Sequence, residues 1–344
     1  MKRPGSRSDV ETMRDQIELF SIAEGFLQSS VLFSLLKLKI FERIGEGSKT
    51  LHELSDEVGA RPETLVRLLN AGVVLRLLET QDGVLFRVAS KYQSVLVPSA
   101  GENYLGNWIR NLEYLNHALS KLDEAVMKSG PTVEPSTHLG SDKDLTREFM
   151  LAMHNSAALR GKELARFLDT TGCGTLLDLG CGPGTYSFNL GLRNPNLQLY
   201  LLDNPQVLDI TKEIQARYPL ENEVHYLPLD LMKDEIPGSY DLIFLSNLLH
   251  MFGEEANRKL VRRLYSSINQ GGSLVIQAQF LDDDRLGGRW PIMLDLIQLC
   301  ITNEGRNHTV AETRGWLEEA GFRNIEFCPM TLLNTHSFLR GYKS

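Results

Sequence analysis

Apolar residues recur along this chain in two regimes. From about Ile17 to Ile44, positions Phe20, Ala23, Phe26, Leu27, Val31, Phe33, Leu36 and Ile40 stand two to four residues apart. That spacing predicts a helical segment whose apolar residues cover more than one face, so burial on several sides is expected. Thr50, with Glu53 three residues later, predicts a capped helix start. Pro62 opens a second helix carrying Leu65, Leu68, Leu69 and Val73. Leu78 to Val88 reads as a β-hairpin turning at Asp82-Gly83. Residues 101–165 are helical in pattern, with a polar break from Ser129 to Asp142 that suits a loop.

At Thr175 the pattern changes to short apolar runs alternating with helical segments. Strands are predicted at Thr175–Leu179, Gln198–Leu202, Val224–Leu229, Tyr240–Ser246 and Ser273–Phe280, with helices between most of them and another at Val310–Ala320. Two more strands end the chain. Repeated strand–helix units predict an α/β fold with a mostly parallel, doubly wound sheet. The expected division is 1–100, 101–165 as a helical connector, and 166–344 for the sheet.

Charge changes what the first part can do. Helix, turn, helix and hairpin form a winged-helix outline, which often reads DNA. Residues 40–97, however, hold seven Lys/Arg and eight Asp/Glu, and the 344-residue chain carries a net charge of −8. A DNA reader needs a basic surplus to neutralise phosphates, so a structural or dimerising role is expected and a nucleic-acid partner is not. Four scattered cysteines without a CxxC pair predict neither a disulfide framework nor a zinc site. The first 16 residues are polar, and no unbroken run approaches the ~18 apolar residues of a membrane span, so a soluble cytoplasmic protein without a membrane partner is expected.

Candidate chemistry concentrates at Leu177-Asp178-Leu179-Gly180-Cys181-Gly182-Pro183-Gly184. Three alternate glycines follow a strand and open a helix, where the absence of Cβ lets the backbone approach a ligand closely. A nicotinamide fingerprint would need glycine at Thr185. Asp203 closes the next strand, 19 residues past Gly184, where a carboxylate can accept from both hydroxyls of a ribose or cap the following helix. Asp230, with Leu231 and Met232 beside it, follows the third strand, where the carboxylate can read an adenine amino group or cap the strand end. His250 lies just past the fourth strand, at the sheet edge where ligands collect.

With these motifs the chain resembles the S-adenosylmethionine (SAM)-dependent class I methyltransferases with an N-terminal winged-helix dimerisation domain, the caffeate-type and bacterial antibiotic and pigment O-methyltransferases. The resemblance runs from Lys39-Ile40-Phe41 and Leu51-His52-Glu53-Leu54, through Asp178–Gly184, to Trp316–Phe322. It implies a Rossmann-like sheet in the order 3-2-1-4-5-7-6 and a homodimer through the N-terminal domain. It also implies SAM as methyl donor, S-adenosylhomocysteine (SAH) as product and no metal. Asp178, Gly180, Gly182, Gly184, Asp203, Asp230, Leu231, Met232 and Ser246 would hold the cofactor, and His250 would take the proton of an acceptor hydroxyl. Met153, His154, Met293 and Gln298 would line the acceptor pocket, with Phe149, Asn155, Trp290 and Leu294 nearby.

The chain also departs from that family. Met251 and Phe252 replace the usual Asp-Trp, Ser246 replaces a common lysine, and Ala278 and Asn307 fall where two acids orient the histidine. Asp295 and Glu304 are the nearby acidic candidates. Two alternatives therefore stay open: methylation of carbon or nitrogen, working mainly by proximity, and a non-methylating member that keeps SAM bound.

Overall fold

The computed structural model describes residues 9–134, 143–330 and 336–344. The chain separates into two compact units, Met1–Arg110 and Asn111–Ser344. The polar break is described as far as Glu134; residues 135–142 lie outside the described residues.

The first unit begins with helices α1 (Asp9–Ala23), α2 (Gly25–Lys37) and α3 (Ile40–Ile44). Strand β1 (Lys49–Thr50) leads to α4 (Leu51–Val58), then α5 (Pro62–Val74), β2 (Leu78–Thr80), β3 (Leu85–Val88) and α6 (Gln93–Leu96). The Thr50–Glu53 capping box forms as expected. The short β1 was not foreseen; it pairs with β3 and makes the hairpin a three-stranded sheet in the order β1-β3-β2. Leu35, Ile40, Phe41, Leu54, Leu69, Phe86 and Val88 close a core around it.

The expected burial of the N-terminal segment on several sides is overturned for α1 and most of α2. No residue of α1 is buried, and Ile17, Phe20, Ile22 and Phe26 are exposed; in α2, Leu35 and Leu36 are the buried ones. Helical residues Asp9–Lys37 are also long and apolar enough to cross a membrane by length and composition. Counting unbroken apolar runs missed this, because isolated polar residues interrupt the runs without lowering the average much.

In the second unit, helices α7 (Gly106–Leu119, begun in the first unit), α8 (Leu122–Lys128) and α9 (Lys143–Phe167) precede the sheet. Then follow β4 (Thr175–Leu179), α10 (Thr185–Arg193), β5 (Gln198–Asp203), α11 (Pro205–Gln215), β6 (Val224–Pro228) and β7 (Tyr240–Ser246). The chain continues with α12 (Glu254–Ser266), β8 (Ile268–Ala278), α13 (Arg289–Ile301), α14 (Val310–Ala320), β9 (Arg323–Pro329) and β10 (Ser337–Tyr342). The sheet order is β6-β5-β4-β7-β8-β10-β9, which is the expected 3-2-1-4-5-7-6, with β10 antiparallel to both neighbours. Strand β8 starts at Ile268, earlier than the glycine pair suggested. At Gly272 an added Cβ would stand 2.7 Å from the Asp241 carbonyl, so glycine is what admits this close strand approach.

Alternation along the strands builds two cores. Leu176, Leu242, Phe244, Val275 and Phe338 pack on one face with Leu164, Phe188 and Ile214. Leu177, Leu179, Ile243, Leu245 and Ile276 pack on the other with Leu260, Val261, Leu264 and Trp316. Asp178 shares the phase of Leu176 and therefore points into the first, buried face. Thr309 begins α14 with a second capping box, its hydroxyl accepting from Glu312 N–H at 3.1 Å. Thr309→Ala should cost about 1 kcal/mol, read as a lower urea midpoint for the sheet unit; an unchanged midpoint would show that the cap adds nothing.

Candidate active site

The glycine turn is shaped by what surrounds it. Gly180, Gly182 and Gly184 all have positive φ. An added Cβ at Gly180 would press on Leu248 at 3.2 Å, whereas at Gly182 the nearest atom is Met150 Sδ at 3.8 Å. The Gly180 and Cys181 N–H groups donate to Leu202 O, fixing the turn to β5. The Gly182 N–H donates to one carboxylate oxygen of Asp203 at 2.8 Å, and the Asn204 N–H donates to the other at 2.7 Å. Asp203 is thus anchored at the end of β5, and each oxygen retains accepting capacity. Burial raises it to about 6. Asp178 accepts from Ser187 Oγ at 2.6 Å and is raised to about 7, by burial first.

Asp230 is more exposed. Its carboxylate accepts from Met232 N–H at 2.9 Å and pairs with Lys233 at 2.9 Å, which holds it below the usual carboxylate range. Its side chain caps its own turn, leaving Leu231 and Met232 as apolar neighbours. Leu231 Cδ2 lies 3.8 Å from the Cβ position of Gly180, so the third-strand turn reaches the glycine loop. Two desolvated carboxylates beside an open glycine backbone suit a nucleoside with a positively charged appendage, so these residues fit SAM.

His250 sits in a single turn of 3-10 helix, Leu249–Met251, after β7. Its Nδ1 is shut off from solvent and has no hydrogen-bond partner among the described residues. Burial, with His308 nearby, pushes the imidazole down to about 4, so it is neutral at pH 7. Neither acidic candidate serves it. Asp295 accepts the Asn307 backbone N–H at 2.6 Å, and Glu304 packs below Gly253. Asn307 itself donates its amide to Gln279 O at 2.7 Å and Pro291 O at 3.0 Å. His308 meets Asn257 Nδ2 at 3.0 Å and stacks edge-on with Trp316. Asn257 also donates to Leu249 O at 2.9 Å, so this pair holds the turn that carries His250.

The remaining expected residues divide. Ser246 faces a buried polar layer: it donates to Gln277 Oε1 at 2.9 Å and accepts from Asn247 Nδ2 at 3.0 Å. The Tyr186 phenol lies against the same layer, where burial raises it above its usual range. Sequence reading passed over Tyr186 and Gln277, since a tyrosine in a helix and a glutamine in a strand carry no motif. His154 is buried, with Nδ1 2.8 Å from Thr185 Oγ1, so it meets the first residue of α10. Gln298 is buried with an unpartnered Oε1, Met293 is exposed, and Met153 is partly buried.

Comparison with known proteins agrees with this geometry. The O-methyltransferase domain model matches residues 116–323, and the O-methyltransferase dimerisation domain model matches residues 20–93. Among curated relatives, a 3-hydroxy-5-methyl-1-naphthoate 3-O-methyltransferase from Streptomyces sahachiroi is 24% identical over 95% of each chain. The tetracenomycin polyketide synthesis 8-O-methyl transferase of Streptomyces glaucescens is 26% identical, covering 90% of this chain and 91% of the relative. An N,N-dimethyltransferase from Streptomyces rimosus is also 26% identical, over 89% and 90%. Human N-acetylserotonin methyltransferase in complex with SAM superposes with a TM-score of 0.85 at 22% identity, over 99% of this chain and 100% of that one. This likeness shows the shared fold. The chain belongs to the O-methyltransferase family and is a SAM-dependent methyltransferase.

Proposed function

We propose that the enzyme methylates a hydroxyl of an aromatic or polycyclic small molecule, with His250 as general base. The observation that carries this is a neutral, partly buried imidazole just beyond β7, two residues after Leu248, which packs on the Gly180 turn that SAM would occupy. When bound, SAM supplies an electrophilic methyl on a sulfonium. Asp203 would hold its ribose, Gly180–Gly184 and Asp178 its amino-acid end, and Leu231 and Met232 would flank its adenine. Leu248 packs on Gly180, and Leu249 is buried at the start of the turn that carries His250. Met153, Met293, Trp290 and Leu294 give the acceptor side an apolar lining suited to planar rings.

A base near 4 facing a phenol near 10 is mismatched by about 6 pK units, or ~8 kcal/mol. His250 therefore takes the proton as the oxygen gains its new bond, not beforehand, and more acidic hydroxyls react faster. Methylation at nitrogen is the second reading. It is favoured by the absence of an acid on His250 Nδ1 and by the N,N-dimethyltransferase relative. Incubation with methyl-labelled SAM and a panel of phenols and aryl amines, with the product's methyl located by NMR, separates the two. Label on oxygen is expected; label confined to nitrogen or carbon overturns the hydroxyl reading.

The same proposal includes a homodimer built through residues 1–100. The exposed apolar side chains of α1 and α2, within a segment that matches the dimerisation domain from residue 20, suit coverage by a second copy.

A further inference from the structure

Beneath the His250 turn lies a layer of polar side chains that the mechanism does not use. Ser246, Asn247 and Gln277 are joined by hydrogen bonds, and the buried Tyr186 phenol lies against them. Gln279, one residue past β8, continues the layer and meets His336 Nε2 at 3.1 Å. Ser337 pairs with Ala278, so His336 stands beside Gln279 at the start of β10. All of these are amides, hydroxyls or imidazoles. Arg160 is a formal charge within electrostatic reach of two members, Tyr186 and His336.

Arg160 is placed by α9. Met150, Met153, Ala157 and Arg160 follow at i, i+3, i+7 and i+10, one continuous helical stripe about 15 Å long. Its first member touches the glycine loop through Met150 Sδ, and Met153 is an acceptor-lining candidate. At Gly161, next to Arg160, α9 crosses α10 closely: an added Cβ would be 2.8 Å from Asn189 Nδ2 and 3.2 Å from Thr185 O. This brings Arg160 within electrostatic reach of Tyr186 and His336. Its Nε is buried without a hydrogen-bond partner, and no carboxylate pairs with it among the described residues. A guanidinium with a desolvated, unpaired N–H is costly unless an anion answers it, and its planar fork matches a carboxylate.

We propose that Arg160 is the carboxylate anchor of the active site, receiving a carboxylate either from the methionine end of SAM or from a hydroxyaryl acid acceptor. The inference rests on the methyltransferase reading above and adds which ligand group the α9 stripe recognises. Acceptor and cofactor present the same chemistry at this point, so the two sources are separated by experiment.

Binding to the full chain is measured by calorimetry for wild type, Arg160→Met and Arg160→Lys. One pair of ligands is SAH against 5′-methylthioadenosine, which lacks the amino-acid end. The other, in SAH-saturated protein, is 3-hydroxy-2-naphthoate against its methyl ester. A 10- to 100-fold loss of SAH affinity in Arg160→Met, larger than the loss for methylthioadenosine, assigns the cofactor carboxylate. A loss of the same size in the acid-to-ester affinity ratio assigns the acceptor. Arg160→Lys, which retains the charge, should recover part of either loss, and thermal melts verify folding. If both ligand pairs keep their ratios within twofold in Arg160→Met, the anchor is overturned. Failure to methylate any hydroxyl would overturn the functional reading while leaving these binding ratios to decide the anchor separately.

Discussion

Replacing His250 with alanine is expected to lower kcat about 100- to 10,000-fold, the range a positioned general base contributes, while SAH affinity stays within twofold. The imidazole is carried by the turn Leu249–Met251 and takes no part in the hydrogen bonds that fix the glycine loop to Leu202 and Asp203, so its loss is expected to leave the cofactor side intact. Steady-state kinetics with an accepted phenol, alongside SAH titration, provide the check. Turnover within threefold of wild type would remove the base role and leave proximity as the source of catalysis. The pH profile gives a second reading. A histidine whose pKa is depressed to about 4 is neutral, and able to accept a proton, at every pH above that value. The activity limb it controls is therefore fully present from pH 5.5 upward and is lost as pH falls through about 4. A limb near 6.5 would mean that the imidazole sits in an ordinary aqueous environment.

The second large effect belongs to Asp203. Asp203→Ala should weaken SAM binding about 100-fold, because it removes the acceptor expected for the ribose and also releases the N–H groups of Gly182 and Asn204. The ionised carboxylate is the form that accepts from hydroxyls. With its pKa raised to about 6, affinity should be full above pH 7 and decline as pH falls through 6. Asp203→Asn should give an intermediate affinity and lose the step near 6. Any step near 7 that it keeps belongs to Asp178. Equilibrium titration with SAM from pH 5 to 8.5 tests this, and an unchanged affinity in Asp203→Ala would place the ribose elsewhere.

The sequence showed the parts of this protein that follow from periodicity and from short motifs. Strand–helix alternation after Thr175 was sufficient for the sheet, because strands buried on both faces read as apolar runs and glycines punctuate them. The capping boxes at Thr50 and Thr309 share one local pattern; the first was read and the second passed over. Three features were hidden for physical reasons. Strand β1 is two residues long and exists through its pairing with β3, a contact distant in sequence. The exposure of α1 could not be read from an apolar pattern that looks the same whether a core or another molecule covers it. At the site, Asp178, Asp203 and the glycines were legible because their spacing is set by one β-α turn. The polar layer of Tyr186, Gln277, Gln279, His336 and Arg160 was not. Its members come from α10, β8, the approach to β10 and α9, and only the folded sheet edge gathers them.

The tight crossing at Gly161 has a mechanical consequence. Glycine at 161 lets α9 approach α10 closely, and His154 bonds to Thr185, so the two helices are packed and hydrogen-bonded together. Helix α10 begins at the glycine loop, and α9 carries the stripe from Met150 to Arg160. A substitution that displaces α10 is therefore expected to displace the α9 stripe with it. The two halves of the site are thereby linked: a substitution that moves one helix is expected to change recognition at both.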